Sequence, residues 1–199
     1  MLESAAADTD AALLKAWKSR VKRAKKHLGW PDSAVVAIPH ASGASLALAA
    51  PSDQLITATE LNEWALAASL HARNPSREAE LLAALAFEQP DASVPPGIEE
   101  AAALERLAAR AAGEANPRLR ALLDAAHGRR LPCLLDDELL TIGAGIGGRT
   151  WSLSGLPNVE DVPWADLRAI PVALVTGTNG KTTVVRLITA CAQAEGWTT

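Results

Sequence analysis

The run Val172-Ala173-Leu174-Val175-Thr176-Gly177-Thr178-Asn179-Gly180-Lys181-Thr182-Thr183 holds the residues of this chain best suited to chemistry. Its pattern predicts an apolar strand, a glycine turn and then a helix over 182–195. Gly177 and Gly180 permit a tight turn and let bare backbone approach an anion. The amides of Thr178 through Thr183 can then converge at the positive end of the helix. Lys181 can place a point charge on terminal phosphates, and the Thr182 hydroxyl can ligate a magnesium ion that bridges them. Val184, Val185, Leu187, Ile188 and Cys191 recur at helical spacing and predict a buried stripe, with Gly196 as the stop. A nucleotide-binding domain is expected to begin here, close to the last residue of the sequence, Thr199.

The common P-loop pattern wants a glycine five residues before Gly180, where this chain has Val175. The shorter form Gly-Thr-Asn-Gly-Lys-Thr-Thr resembles the Mur ligase family instead. That family includes the ATP-dependent ligases of peptidoglycan precursor synthesis, folylpolyglutamate synthase and cyanophycin synthetase. The resemblance implies binding of ATP and a magnesium ion, activation of a carboxylate as an acyl phosphate, and attack by an amine to form an amide. It implies that Lys181 holds the phosphates as the catalytic cation. Gly177, Thr178, Asn179, Gly180 and Thr183 would form the anion loop with Lys181 and Thr182, and Thr182 would hold the metal. The family's glutamate metal ligand, modified lysine, histidine and adenine contacts lie further downstream than Thr199, so the isolated chain is expected to be inactive and to need further C-terminal domains of the same polypeptide.

Upstream, Leu131–Leu135 and Leu139–Ile142 read as strands around the acidic turn Asp136-Asp137-Glu138, and Arg149–Leu153 reads as a returning strand. This segment is similar to the one that leads into the Mur-type half of cyanophycin synthetase. The resemblance covers about the last third of the chain. Gly143, Gly145 and Gly148 also spell a dinucleotide fingerprint, but β-type alternation follows where a helix should open, so a hairpin turn is expected. The three acids read as an exposed turn rather than a metal cluster.

The elements before this region predict a mixed architecture. Asp10 is placed to cap a helix reaching Leu28, with Leu13, Trp17, Val21, Ala24 and Leu28 on one face and Lys15, Lys18, Arg20, Lys22, Arg23, Lys25 and Lys26 on the other. That basic face reads as a solvated surface. Strands are expected at 34–39 and 46–50. Thr57 with Glu60 spells a capping box for a helix through Leu70. Ser76 is a candidate cap for a helix over 77–87. Gln89 through Gly97 reads as a linker, and helices follow at 98–112 and 118–127, the second ending at Gly128.

The fold class expected is α/β: an α+β region over 1–130, a β-hairpin connector over 131–170, and over 171–199 the first βα unit of a parallel-sheet ATPase domain. With 199 residues, 49% of them hydrophobic, the chain can bury one sizeable core or two small ones. A net charge of −4 gives no argument for nucleic acid, no run is long enough for a membrane span, and no signal-peptide layout is present. A cytoplasmic location is expected, with ATP and carboxylate and amine substrates as partners, and neither nucleic acid nor membrane. Cys133 and Cys191 read as reduced core cysteines. His27, His40, His71 and His127 show no metal-ligand spacing, and His40 with Ser42 lacks a nucleophile elbow. Two other functions fit parts of the sequence: a non-enzymatic interaction module built on the basic helix, and an unrelated P-loop kinase or GTPase.

Overall fold

The computed structural model describes residues 2–5, 10–87 and 97–197. The chain mixes helix with two small antiparallel sheets and divides into two compact units, residues 1–124 and 125–199. Residues 89–96 of the expected linker lie outside the described residues.

The first unit begins with β1 (Leu2–Ala5), followed by α1 (Ala11–His27), β2 (Val35–His40) and β3 (Gly43–Leu48). The three strands form one sheet in the order β1-β3-β2, with Leu2 and Ala37 both opposite Leu46. Next come α2 (Leu55–His71), α3 (Glu78–Phe87) and α4 (Glu100–Glu114), and α5 (Pro117–Gly128) runs across the division into the second unit. The apolar stripe of α1 is buried as its spacing requires: Leu13, Trp17, Val21 and Ala24 are fully enclosed. Trp17, Val21 and Ala24 share a core with Leu46 of β3, Leu61, Trp64 and Ala65 of α2, and Leu107 of α4. Full burial of a side chain the size of Leu or Val stabilises by about 1.5–3 kcal/mol. Like-charged helix neighbours cost only a few tenths each. Burial therefore wins, and α1 folds despite its seven cations.

One polar chain crosses this core. Trp17 Nε1 donates to Asn62 Oδ1 at 3.0 Å, and Asn62 Nδ2 donates to the Leu46 carbonyl at 3.3 Å. It joins α1, α2 and β3 while leaving neither the indole nor the amide unsatisfied.

Helix starts are capped, but not always by the residues that local spacing suggests. Asp10 accepts from the Leu13 amide at 2.8 Å, as expected. The Thr57–Glu60 box does not form, because α2 begins at Leu55 and both residues are buried within it. Glu114, at the far end of α4, takes over. Its carboxylate accepts from the amides of Ile56 and Thr57 at 2.7 and 2.9 Å and from the Thr57 hydroxyl at 2.7 Å. Ser76 is likewise not a cap. Asn74 caps a short 3₁₀ turn over Pro75–Arg77, and α3 starts after it. Glu99 caps α4, and Asn116 accepts from Leu119 N at the start of α5.

The second unit contains β4 (Cys133–Leu135), β5 (Leu139–Ile142) and β6 (Arg149–Ser152), an antiparallel sheet in that order. Leu140, Ile142, Leu156, Val162 and Leu167 are buried. Arg129 stacks its guanidinium over Trp164, 4.2 Å from the ring centroid. The last element is α6 (Lys181–Ala194). Three helices close with the same pair of hydrogen bonds, in which the left-handed residue is Gly29 after α1, Gly196 after α6 and Arg130 after α5. Helix α5 thus runs through Gly128 rather than ending before it.

Residues 172–176 form no strand: they have no sheet partner, and Val172 and Leu174 are 68% and 92% exposed. A strand needs a hydrogen-bonding neighbour, and the described residues supply none here. The stripe of α6 is not buried either, since Val184, Val185, Leu187, Ile188 and Cys191 are all exposed. Cys191 is therefore no core cysteine, while Cys133 is half-buried and burial raises its thiol pKa.

Two outcomes are expected. Replacing Glu114 with Ala should cost about 2 kcal/mol, because two amides at the start of α2 and the Thr57 hydroxyl lose their acceptor; urea unfolding followed by Trp fluorescence measures it. The Arg23 guanidinium, at 2.7 and 2.8 Å from the Glu100 carboxylate, holds that carboxyl below its ordinary pKa. Its contribution is complete above the unfolded-state pKa and is lost as the pH falls through the lower folded-state value. Arg23→Gln should therefore lower the urea midpoint at pH 7 while shrinking the further loss on acidification.

Candidate functional site

The candidate site is the loop 177–180 with the first turn of α6. Gly177 and Gly180 both adopt positive φ, 146° and 78°, which L residues reach only under strain. Gly180 stands at the N-cap of α6 and contributes no side-chain cap. The amides of Lys181, Thr182 and Thr183 thus lie in a first turn whose donors have no intrahelical acceptor. The first helical bond of that turn is the one from Val184 N to the Gly180 carbonyl, at 3.0 Å. Lys181 folds back across the loop, and its Nζ donates to the carbonyls of Gly177 at 2.5 Å and Thr178 at 3.4 Å. A cation is held over the glycine turn by backbone alone. All of residues 176–183 are exposed, and a Cβ added at Gly180 would meet nothing within 4 Å.

Such an arrangement can bind an anion. Free amides, the positive end of the helix dipole and an ammonium group act in the same small volume. The residues fit nucleotide phosphates: the glycine turn leaves the approach open, and Thr182, at the second helical position, carries a hydroxyl suited to a hard cation. Among the described residues no group of three His, Cys, Asp or Glu side chains is gathered to hold a metal ion. Thr182 is the residue of this loop whose side chain would hold a magnesium ion.

The other candidates separate from this loop. Gly143–Gly148 is a closed turn between β5 and β6, and the chain itself packs into it. Ala144 N donates to the Arg168 carbonyl at 3.0 Å, and Arg168 N donates to the Gly147 carbonyl at 2.9 Å. A Cβ at Gly147 would collide with Arg168, one at Gly145 with Ile170, and one at Gly143 with the Gly147 carbonyl. These glycines admit the segment 168–170 of the same chain, and strand β6 rather than an α-helix follows them. Asp136 is a turn residue: its carboxylate accepts from the amides of Glu138 and Leu139 at 2.9 and 2.8 Å, which holds its pKa low. His40 and Ser42 pair at 3.0 Å on the exposed β2–β3 turn.

Together these observations define an exposed glycine turn at a helix start that no side chain caps. No protein-family model, curated protein or solved structure matches the chain. No helix among the described residues is long and apolar enough to cross a membrane.

The glycine turn gives its own test. Gly143→Ala places a methyl at φ 87° against backbone, whereas Gly155 has open space around it. The first should destabilise the β4–β6 unit by about 2 kcal/mol or more, and Gly155→Ala by well under 1. Hydrogen exchange of the β5 amides reads the difference.

Proposed function

We propose that this chain carries the nucleotide-phosphate loop of an ATP-dependent carboxylate–amine ligase of the Mur type. The observation that carries the reading is the Lys181 ammonium held over a left-handed glycine turn at an uncapped helix start. In this reading the amides of residues 181–183 and the Lys181 ammonium bind the β- and γ-phosphates of ATP. The Thr182 hydroxyl would hold a magnesium ion, which would offset the charge of the phosphates. When bound, ATP supplies the phosphoryl group that activates a carboxylate for attack by an amine. Lys181 lowers the cost of gathering charge on the terminal phosphate, and the glycines keep side chains out of its path.

The exposed apolar surface supports the same reading. In a parallel-sheet ATPase domain the segment 172–176 would be an inner strand, and Val184, Leu187 and Ile188 would face the sheet. Those residues are exposed here. The parallel P-loop sheet is accordingly part of the proposal, as is the amide-forming activity, which belongs to the assembled enzyme. The kinase and GTPase alternative is disfavoured by Val175, where the longer phosphate loop has a glycine.

Calorimetric titration of the full chain with magnesium ATP tests the loop. Binding at millimolar affinity or tighter is expected, and Lys181→Ala should weaken it by about 10- to 100-fold through loss of a charged hydrogen bond. Equal affinities in the two proteins, or no binding to the unaltered chain, would refute the assignment.

A further inference from the structure

Helix α1 carries seven cationic side chains and no acidic one, in a chain whose net charge is −4. The structure sorts these seven into two groups. Three are engaged internally. Arg20 donates to Ser69 Oγ at 3.2 Å, Arg23 pairs with Glu100, and the buried Lys25 donates to the Ser33 carbonyl and hydroxyl at 3.0 and 2.8 Å. The other four, Lys15, Lys18, Lys22 and Lys26, are exposed, and among the described residues none has a hydrogen-bond or ion-pair partner. At 100° per residue these four fall within about 80° of arc on the side away from the core, and they rise along the helix in steps of about 4.5, 6 and 6 Å. Lys15–Lys18, Lys18–Lys22 and Lys22–Lys26 are neighbouring like charges that weaken an isolated helix, with no Asp or Glu in α1 to relieve them.

We propose that the stripe Lys15–Lys18–Lys22–Lys26 docks an acidic helix of a partner protein, one bearing carboxylates on a single face at matching three- and four-residue intervals. The steps of the stripe are those of one helix face, so an acidic helix laid alongside meets it charge for charge. Other polyanions match it less well. Duplex DNA presents a charge every ~1.7 Å, about three times the density of the stripe. The one aromatic residue of α1, Trp17, is buried, so no ring is offered for stacking bases. A membrane would need the apolar face of the helix, and that face is committed to the core.

The test is fluorescence anisotropy with the full chain at low salt. The probes are a synthetic helical peptide with glutamates at three-, four- and four-residue intervals, the same composition with glutamates scattered round the helix, a short DNA duplex, and vesicles containing anionic lipid. The patterned peptide should bind best and be released by ~0.5 M salt. The double variant Lys18→Glu, Lys22→Glu should bind it ~10-fold or more weakly and recover binding to a peptide with lysines at the facing positions. Its circular dichroism should match that of the unaltered chain and its melting temperature should be no lower, since both residues are exposed and two of the three repulsive pairs become attractive. Equal binding of the scattered peptide, tighter binding of duplex or vesicles, no binding of the patterned peptide, or failure of the charge swap would each overturn the proposal. None of these readouts involves ATP, so the result stands apart from the fate of the ligase reading.

Discussion

The backbone amides at the start of a helix have no partner within that helix, and much of this molecule is arranged around where they go. In the first unit they find oxygen: Asp10 for α1, Glu114 for α2, Glu99 for α4 and Asn116 for α5. The Glu114 contact also reaches from the end of one helix to the start of another, so the same bonds that satisfy α2 fix its packing against α4. Helix α6 differs. Its start has a glycine in place of a capping side chain, and the Lys181 ammonium bonds the carbonyl of Gly177 in the turn before it. The constraint that closes the other helix starts leaves this one open to an external anion, and the functional reading grows from that contrast.

A second constraint is that of extended chain. Extended chain needs hydrogen-bond partners, and the two small sheets supply antiparallel neighbours, from adjacent sequence for β2–β3, β4–β5 and β5–β6 and from across α1 for β1–β3. Residues 143–148 show how tightly this can be done, with glycines that admit Arg168 and Ile170 where any side chain would collide. The segment 172–176 has no such neighbour among the described residues. An apolar run with no sheet to join stays unpaired, and its exposure together with that of α6 is a single physical fact seen from two elements.

What the sequence discloses follows the range of the interaction. Asp10 lies three residues from the amide it caps, and the stripe Leu13, Trp17, Val21 and Ala24 repeats within one helix, so both are legible. The glycine loop and Lys181 are legible for the same reason, since every contact in the site lies within four residues. Thr57 and Glu60 mislead because a local motif coincides with a buried interface, and the real cap lies 57 residues away from Thr57. β1 is four residues long and exists through pairing with β3, which no local pattern announces. The stripe expected to be buried on α6 is exposed, because helical spacing marks an apolar face without supplying a surface to pack it against. The whole-chain charge likewise hides the seven cations gathered on α1.

The central claim is that residues 177–183 bind nucleotide phosphates. Amide chemical-shift mapping of the isotopically labelled full chain, titrated with magnesium ATP, addresses it residue by residue. The account predicts that the largest and saturable shifts fall on Gly177 through Thr183, with the amides of Lys181, Thr182 and Thr183 foremost, and that the α1–α4 amides stay in place. Shifts centred on the first unit, or on the Gly143–Gly148 turn, or none at saturating nucleotide, would contradict it.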